Sequence, residues 1–93
     1  MIRSFADRDT ERLFQRRFSR RLPGDLQKVA LRKLEQLHAA TTLDSLRVPP
    51  GNQLEALRGD RAAQHSIRVN QQWRVCFRWR NADAHEVEIV DYH

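Results

Sequence analysis

The chain has one cysteine, three glycines and three prolines among its 93 residues, and no repeats or low-complexity tracts. No apolar run approaches the ~18 residues that span a bilayer, which argues against a membrane partner. The lone thiol, Cys76, excludes an internal disulfide framework and suits a reducing compartment, so a cytoplasmic location is expected. Arg3, Asp7 and Arg8 surround the short apolar patch near the start, unlike a secretory signal. His65 and His85 have no ligand spacing to each other or to Cys76, and His38 falls at a helix end as a cap or surface residue. Neither a metal site nor a cofactor is expected. Cys76 has no recognisable catalytic partner and reads as a lone thiol on a sheet.

What is abundant is arginine. Of 17 basic residues, 15 are arginine, against 12 acidic residues, a net charge of +5 and a pI near 10.6. Residues 1–40 hold ten Lys/Arg and five Asp/Glu, whereas residues 41–93 hold seven of each, so the excess sits in the first segment. Arginine favours bidentate phosphate contacts, which puts nucleic acid first among partner classes and an acidic protein second. With 40% hydrophobic and 31% charged residues the chain is globular, and its length makes residues 1–93 one domain with a thin core.

Ile2 to Phe5 reads as a short edge strand. Asp7 or Asp9 can cap a first helix running to about Phe18, on which Arg8, Arg12, Arg16 and Arg20 recur every four residues as a basic ribbon. Pro23-Gly24 breaks the chain, and Asp25 can cap a second helix with Leu26, Val29, Ala30, Leu34 and Leu37 on one face. Leu43 and Leu46 can anchor a single helical turn, Pro49-Pro50-Gly51-Asn52 forces a bend, and Leu54 to Leu57 reads as a short strand. A turn follows at Arg58 to Arg61.

The last third alternates as strands do. In Trp73-Arg74-Val75-Cys76-Phe77-Arg78-Trp79-Arg80 the odd positions are large and apolar, and the even ones hold three arginines and the cysteine. Ser66-Ile67-Arg68-Val69 alternates likewise, with Asn70-Gln71-Gln72 as the intervening turn. Asn81-Ala82-Asp83 turns into a last strand through Val87-Glu88-Ile89-Val90, ending in Asp91-Tyr92-His93. The pattern predicts an α+β fold: two N-terminal helices packed on one face of a mostly antiparallel sheet. Trp73, Val75, Phe77 and Trp79 should face the helices, leaving Arg74, Arg78 and Arg80 on an open cationic face.

Met1-Ile2-Arg3-Ser4-Phe5, Leu54-Glu55-Ala56-Leu57-Arg58-Gly59-Asp60-Arg61, Ser66-Ile67-Arg68-Val69-Asn70, Trp73-Arg74-Val75 and Asp91-Tyr92-His93 occur in this order, and the ordered set resembles HigB-type toxins of the RelE superfamily. The likeness covers essentially the whole chain. It implies a RelE-like toxin of a type II toxin–antitoxin system that cleaves mRNA on the ribosome. It also implies a HigA-type helix-turn-helix antitoxin, with operator DNA reached only through that partner. By the same likeness Arg74 matches the substrate-phosphate arginine, Arg58 the basic residue before Gly-Asp, and Asp91, Tyr92 and His93 the terminal catalytic residues. Glu55 stands where well-studied members have histidine. A carboxylate accepts a proton at neutral pH and donates poorly, so Glu55 is either a base or structural, and a slower enzyme is expected.

Metal-free RNA cleavage uses the ribose 2′-OH as nucleophile and needs a base, a cation for the phosphorus centre and an acid for the departing 5′-oxygen. Arg74 supplies the cation. Arg58 and Arg61 would hold flanking phosphates, with Arg78 a further RNA contact on the same face. His93 suits proton transfer near neutrality, Asp91 could orient it or act as base, and Tyr92 could stack on a base or lend its hydroxyl. Strand parity groups Asp91 and His93 with Val87 and Ile89, and Tyr92 with Val90. A flat strand end therefore delivers only one of Tyr92 and His93 to a site, and a curled end both. Two other readings remain: a ParE-like gyrase-inhibiting toxin without catalytic residues, and a weakly active partner that mainly tunes operon repression.

Overall fold

Hydrophobic alternation in the last third produces the largest element, a four-stranded antiparallel sheet in the order β1 (Glu55–Ala56), β2 (His65–Arg68), β3 (Trp73–Arg80), β4 (Asp83–Asp91). The computed structural model describes residues 1–17 and 19–91; Phe18, Tyr92 and His93 lie outside the described residues. Two helices, α1 (Arg8–Phe14) and α2 (Gly24–Ala39), cover one face of the sheet. Leu13, Leu26, Ala30, Leu34 and Leu37 from the helices meet Ile67, Val75, Phe77, Val87 and Ile89 from the strands in one core, with Trp73 and Trp79 packed at its margin. The expected α+β fold and the inward set of β3 are as the alternation implied.

Each turn has a local cause. Asn70 Oδ1 accepts from the backbone N–H groups of Gln72 and Trp73, both at 2.8 Å, closing the β2–β3 hairpin. Asn81 and Ala82 both take positive φ, 51° and 64°, between the paired residues Arg80 and Asp83, the two-residue turn that suits strand twist. A bulge interrupts the β3–β4 ladder between Cys76 and Arg78, where Glu86 takes φ 52°.

Helix α1 is shorter than its periodicity suggested. Asp7 caps it by accepting from the Thr10 N–H at 3.1 Å and the Thr10 hydroxyl at 2.6 Å. It ends at Phe14 because Arg16 adopts φ 63°, with Arg16 N–H donating to Leu13 O and Arg17 N–H to Arg12 O, the bond pair of a Schellman stop. The four-arginine ribbon therefore does not exist: Arg8 and Arg12 lie on the helix, while Arg16 swings off to pair with Glu35 at 2.7 Å. Helix α2 starts at Gly24 after Pro23, so Asp25 lies inside its first turn and is not its cap.

Residues 1–6 run parallel to β4 through isolated bridges, Ile2 with Ala84 and Phe5 with Val87. They act as the expected edge segment without forming a full strand. Further along the same edge, Ile89 N–H donates to the Thr10 hydroxyl at 3.0 Å and Arg21 reaches Ile89 O at 3.3 Å. These contacts occupy edge groups that would otherwise invite strand pairing. His38 contributes too: its Nδ1 accepts from Ile2 N–H at 3.1 Å and its ring packs on Phe14, so it is a tether and not a helix cap.

Candidate active site

The sheet face away from the helices is set by register. Glu55 pairs with Ser66, Ser66 with Cys76, and Cys76 with Glu88, while Arg68 pairs with Arg74 and Arg74 with Val90. Residues in one antiparallel row share a face, so Glu55, Ser66, Arg68, Arg74, Cys76 and Glu88 all lie on the side opposite Ile67 and Val75.

Arg74 is the centre of this face. It is only 9% exposed, yet its hydrogen-bond partners are neutral: Nε donates to Ser66 Oγ at 2.7 Å, and Nη2 to Gln53 O at 2.6 Å. Among the described residues it has no carboxylate partner, and its Nη1 has no acceptor. A guanidinium fixed by neutral acceptors keeps its charge unspent. Its fork is also pre-oriented, so little rotamer freedom is lost when an anion arrives.

The Gln53 carbonyl is itself held. Asn52 is fully buried, donating through Nδ2 to Leu46 O at 3.1 Å and to Gln36 Oε1 at 3.2 Å, and accepting from Lys33 Nζ at 2.6 Å. Gln53 follows in the left-handed region at φ 45° and ψ 56°, which turns its carbonyl toward Arg74. Burial, with the nearby Arg32 charge, lowers the Lys33 pKa. Helix α2 thus positions the arginine through Asn52 and the Gln53 backbone. Ser66, Gln53 and Asn52 escaped sequence reasoning. Only Ser66 left a trace, through its parity with Arg74 across the hairpin.

Glu55 is exposed on β1, on the Arg74 face and opposite the serine that holds Arg74. The next segment, 57–64, folds back over the face, closed by Leu57 N–H to Gln64 O at 2.9 Å. Leu57 and Cys76 are buried outside the main core cluster. Burial raises the Cys76 pKa, against opposing pulls from Arg61 and Arg74, so the thiol is poorly ionised despite its cationic neighbours. Arg58 is exposed on the same segment and has no ion-pair partner among the described residues.

The expected all-cationic face is partly neutralised. Arg61 Nη1 meets Glu88 at 3.1 Å and Gln64 at 3.2 Å, and Arg78 meets Glu86 at 2.8 Å. The acidic partners come from β4, which alternation within β3 alone does not reveal. Arg78 also stands four residues from Arg74, ~13 Å along the strand. Asp91 pairs with Trp73, so by the same rule it lies on the helix-side face and not on the Arg74 face; its carboxylate accepts from Gln72 Nε2 at 2.8 Å. Tyr92 and His93 lie outside the described residues, so the parity question at the strand end is not addressed.

A pocket of about 280 Å³ lies elsewhere, lined by Leu43, Asp44, Arg47, Leu54, Ala56 and His65. Ala56 and His65 form the row next to Glu55–Ser66, on the opposite sheet face from Arg74. Among the described residues no three His, Cys, Asp or Glu side chains gather as metal ligands.

Residues 3–93 match a family model described as the RelE-like toxin of the type II toxin–antitoxin system HigB. The chain belongs to this HigB-like toxin family. It is similar to Toxin HigB-1 of Vibrio cholerae serotype O1, 40% identical over 80 residues, covering 85% of this chain and 84% of the relative. It is also 32% identical over 94 residues to the Endoribonuclease HigB of Proteus vulgaris, covering 100% of both. Among solved structures, the toxin–antitoxin complex YoeB-YefM from Staphylococcus aureus matches with a TM-score of 0.57 at 17% identity, over 100% of this chain and 98% of the matched one. That likeness establishes the fold, and the HigB-like toxin shares its layout of helices and sheet.

Proposed function

We propose that this HigB-like toxin is a ribosome-dependent endoribonuclease that cuts translated mRNA without a metal, arresting translation in the cytoplasm. We also infer that a HigA-type helix-turn-helix antitoxin neutralises it. The observation that supports this reading best is Arg74: a guanidinium 9% exposed, fixed by Ser66 and Gln53 and unpaired with any carboxylate among the described residues. An enclosed, uncommitted cation suits a phosphate oxygen that gains charge at the transition state, where such preorganised charge is worth ~3 kcal/mol or more.

In this mechanism the 2′-oxygen forms a bond to phosphorus as its proton leaves to a base, and the P–O5′ bond breaks as the 5′-oxygen takes a proton from an acid. The products are a 2′,3′-cyclic phosphate and a 5′-hydroxyl. Arg74 holds the non-bridging oxygens. Glu55 lies on the same face, and in this reading it accepts the 2′-proton. The Asp91-Tyr92-His93 triplet supplies the remaining proton transfer and base contact. Arg58 takes a flanking phosphate. Arg61 and Arg78 contribute to RNA binding from within ion pairs with Glu88 and Glu86, and so more weakly than free arginines would. Primer extension on a translated message, with and without ribosomes, tests the proposal. Discrete cleavage only with ribosomes is expected; an intact message beside trapped, cleaved DNA would favour gyrase inhibition instead.

A further inference from the structure

Arg68 and Arg74 are direct cross-strand partners in the β2–β3 ladder and share one sheet face. Like charges placed opposite one another in a sheet are destabilising. Neither arginine has a carboxylate partner among the described residues. Arg68 Nε donates to Asn70 O at 3.0 Å, a neutral acceptor on the hairpin, so this guanidinium too is anchored without being neutralised. Arg61 and Arg78, by contrast, are matched by Glu88 and Glu86. On this face Arg61 and Arg78 close salt bridges, while Arg68 and Arg74, paired across the ladder and anchored by Asn70 and Ser66 on either side of Arg68, keep their charge available.

We propose that Arg68 and Arg74 form a two-arginine clamp for the sugar–phosphate backbone of single-stranded RNA, with Arg68 as a binding residue beside the reacting phosphate. The inference rests on the endoribonuclease reading and adds a substrate contact to it. Two guanidinium groups one strand apart can each offer a fork to one phosphodiester or to two successive ones. An anion between them converts their mutual repulsion into joint attraction. The geometry gives RNA a track from the β2–β3 hairpin across Arg74 toward Glu55 and Arg58 on the neighbouring edge.

The test measures binding of a 2′-O-methyl RNA oligonucleotide, which lacks the attacking hydroxyl, to the full chain by fluorescence anisotropy across a salt series. Melting of each free protein is followed in parallel. Arg68→Gln should weaken binding about tenfold, and its log–log salt slope should be shallower by ~0.7. The melting temperature of the free protein should stay within ~3 °C of wild type, because the bond to Asn70 O that is lost is exposed. Arg68→Lys should keep the salt slope while losing part of the affinity. Arg32→Gln, an exposed arginine on α2, which packs on the other face of the sheet, is the control and should change little. Unaltered affinity and slope in Arg68→Gln while Arg74→Gln binds weakly would overturn the clamp and leave the nuclease reading standing. Weaker binding accompanied by a melting temperature lowered beyond that range would make Arg68 structural and also overturn it. If the wild-type chain bound no RNA at any salt, the clamp would fall, while the nuclease reading, which is tested by cleavage on ribosomes, would stand.

Discussion

Replacing Ser66 by alanine removes one oxygen and no charge, and should still disable the site. Ser66 is fully buried, and its Oγ accepts from Arg74 Nε at 2.7 Å. Without it, a guanidinium N–H in a 9% exposed setting loses its partner, and the fork is left with the Gln53 carbonyl at 2.6 Å and a long contact to the Ser66 carbonyl at 3.5 Å. Hydrogen bonds to charged groups contribute ~1.5–3 kcal/mol, and an orphaned buried donor carries a penalty of similar size. If nearly all of that reappears as misplacement of Arg74 in the transition state, cleavage falls roughly 10- to 100-fold. The assay is single-turnover cleavage of message on programmed ribosomes, with rate and half-saturation separated and urea melts run alongside. A positioning role lowers the rate at saturation more than it weakens binding. Ser66→Thr, which restores the hydroxyl, should recover most of the rate. Wild-type cleavage by Ser66→Ala would refute the argument that this serine holds the arginine for catalysis.

Other perturbations bear on separate parts of the account. Glu55→His restores the residue found at this position in well-studied relatives; cleavage should rise if Glu55 limits proton transfer, and an unchanged rate would make it structural. Cys76 is fully buried with a raised thiol pKa, so at neutral pH iodoacetamide should label it only after denaturant is added, and rapid labelling of the native protein would contradict its burial. Ala82→Gly relieves a φ of 64° in the β3–β4 turn and should stabilise the fold by ~0.5–1 kcal/mol in chemical denaturation.

The meander was legible because alternation in β3 is strict and its bounding turns hold Asn70 and Asn81, residues with a mechanism for turning the chain. Helix α1 was overextended because arginine spacing continues through Arg16 and Arg20, whereas the backbone stops at Arg16, a left-handed position that sequence assigns more readily to glycine. Glu55, Arg58 and Arg74 were readable as a set, and register places Glu55 and Arg74 on one face. What holds Arg74 was not readable. Ser66 Oγ and the Gln53 carbonyl are brought to it by a hairpin and by a loop nailed to α2 through Asn52, contacts 8 and 21 positions away in sequence. The neutralisation of Arg61 by Glu88, 27 positions distant, depends likewise on segment 57–64 folding over the sheet.

The most direct measurement compares wild type and Arg74→Ala in cleavage of a translated message on purified ribosomes, with the 3′ ends of the fragments identified chemically. The account predicts fragments ending in 2′,3′-cyclic phosphate from the wild type, and at least a hundredfold slower cutting by a variant that still folds and binds antitoxin. Equal rates in the two proteins, or a wild-type chain that leaves the message whole, would contradict it.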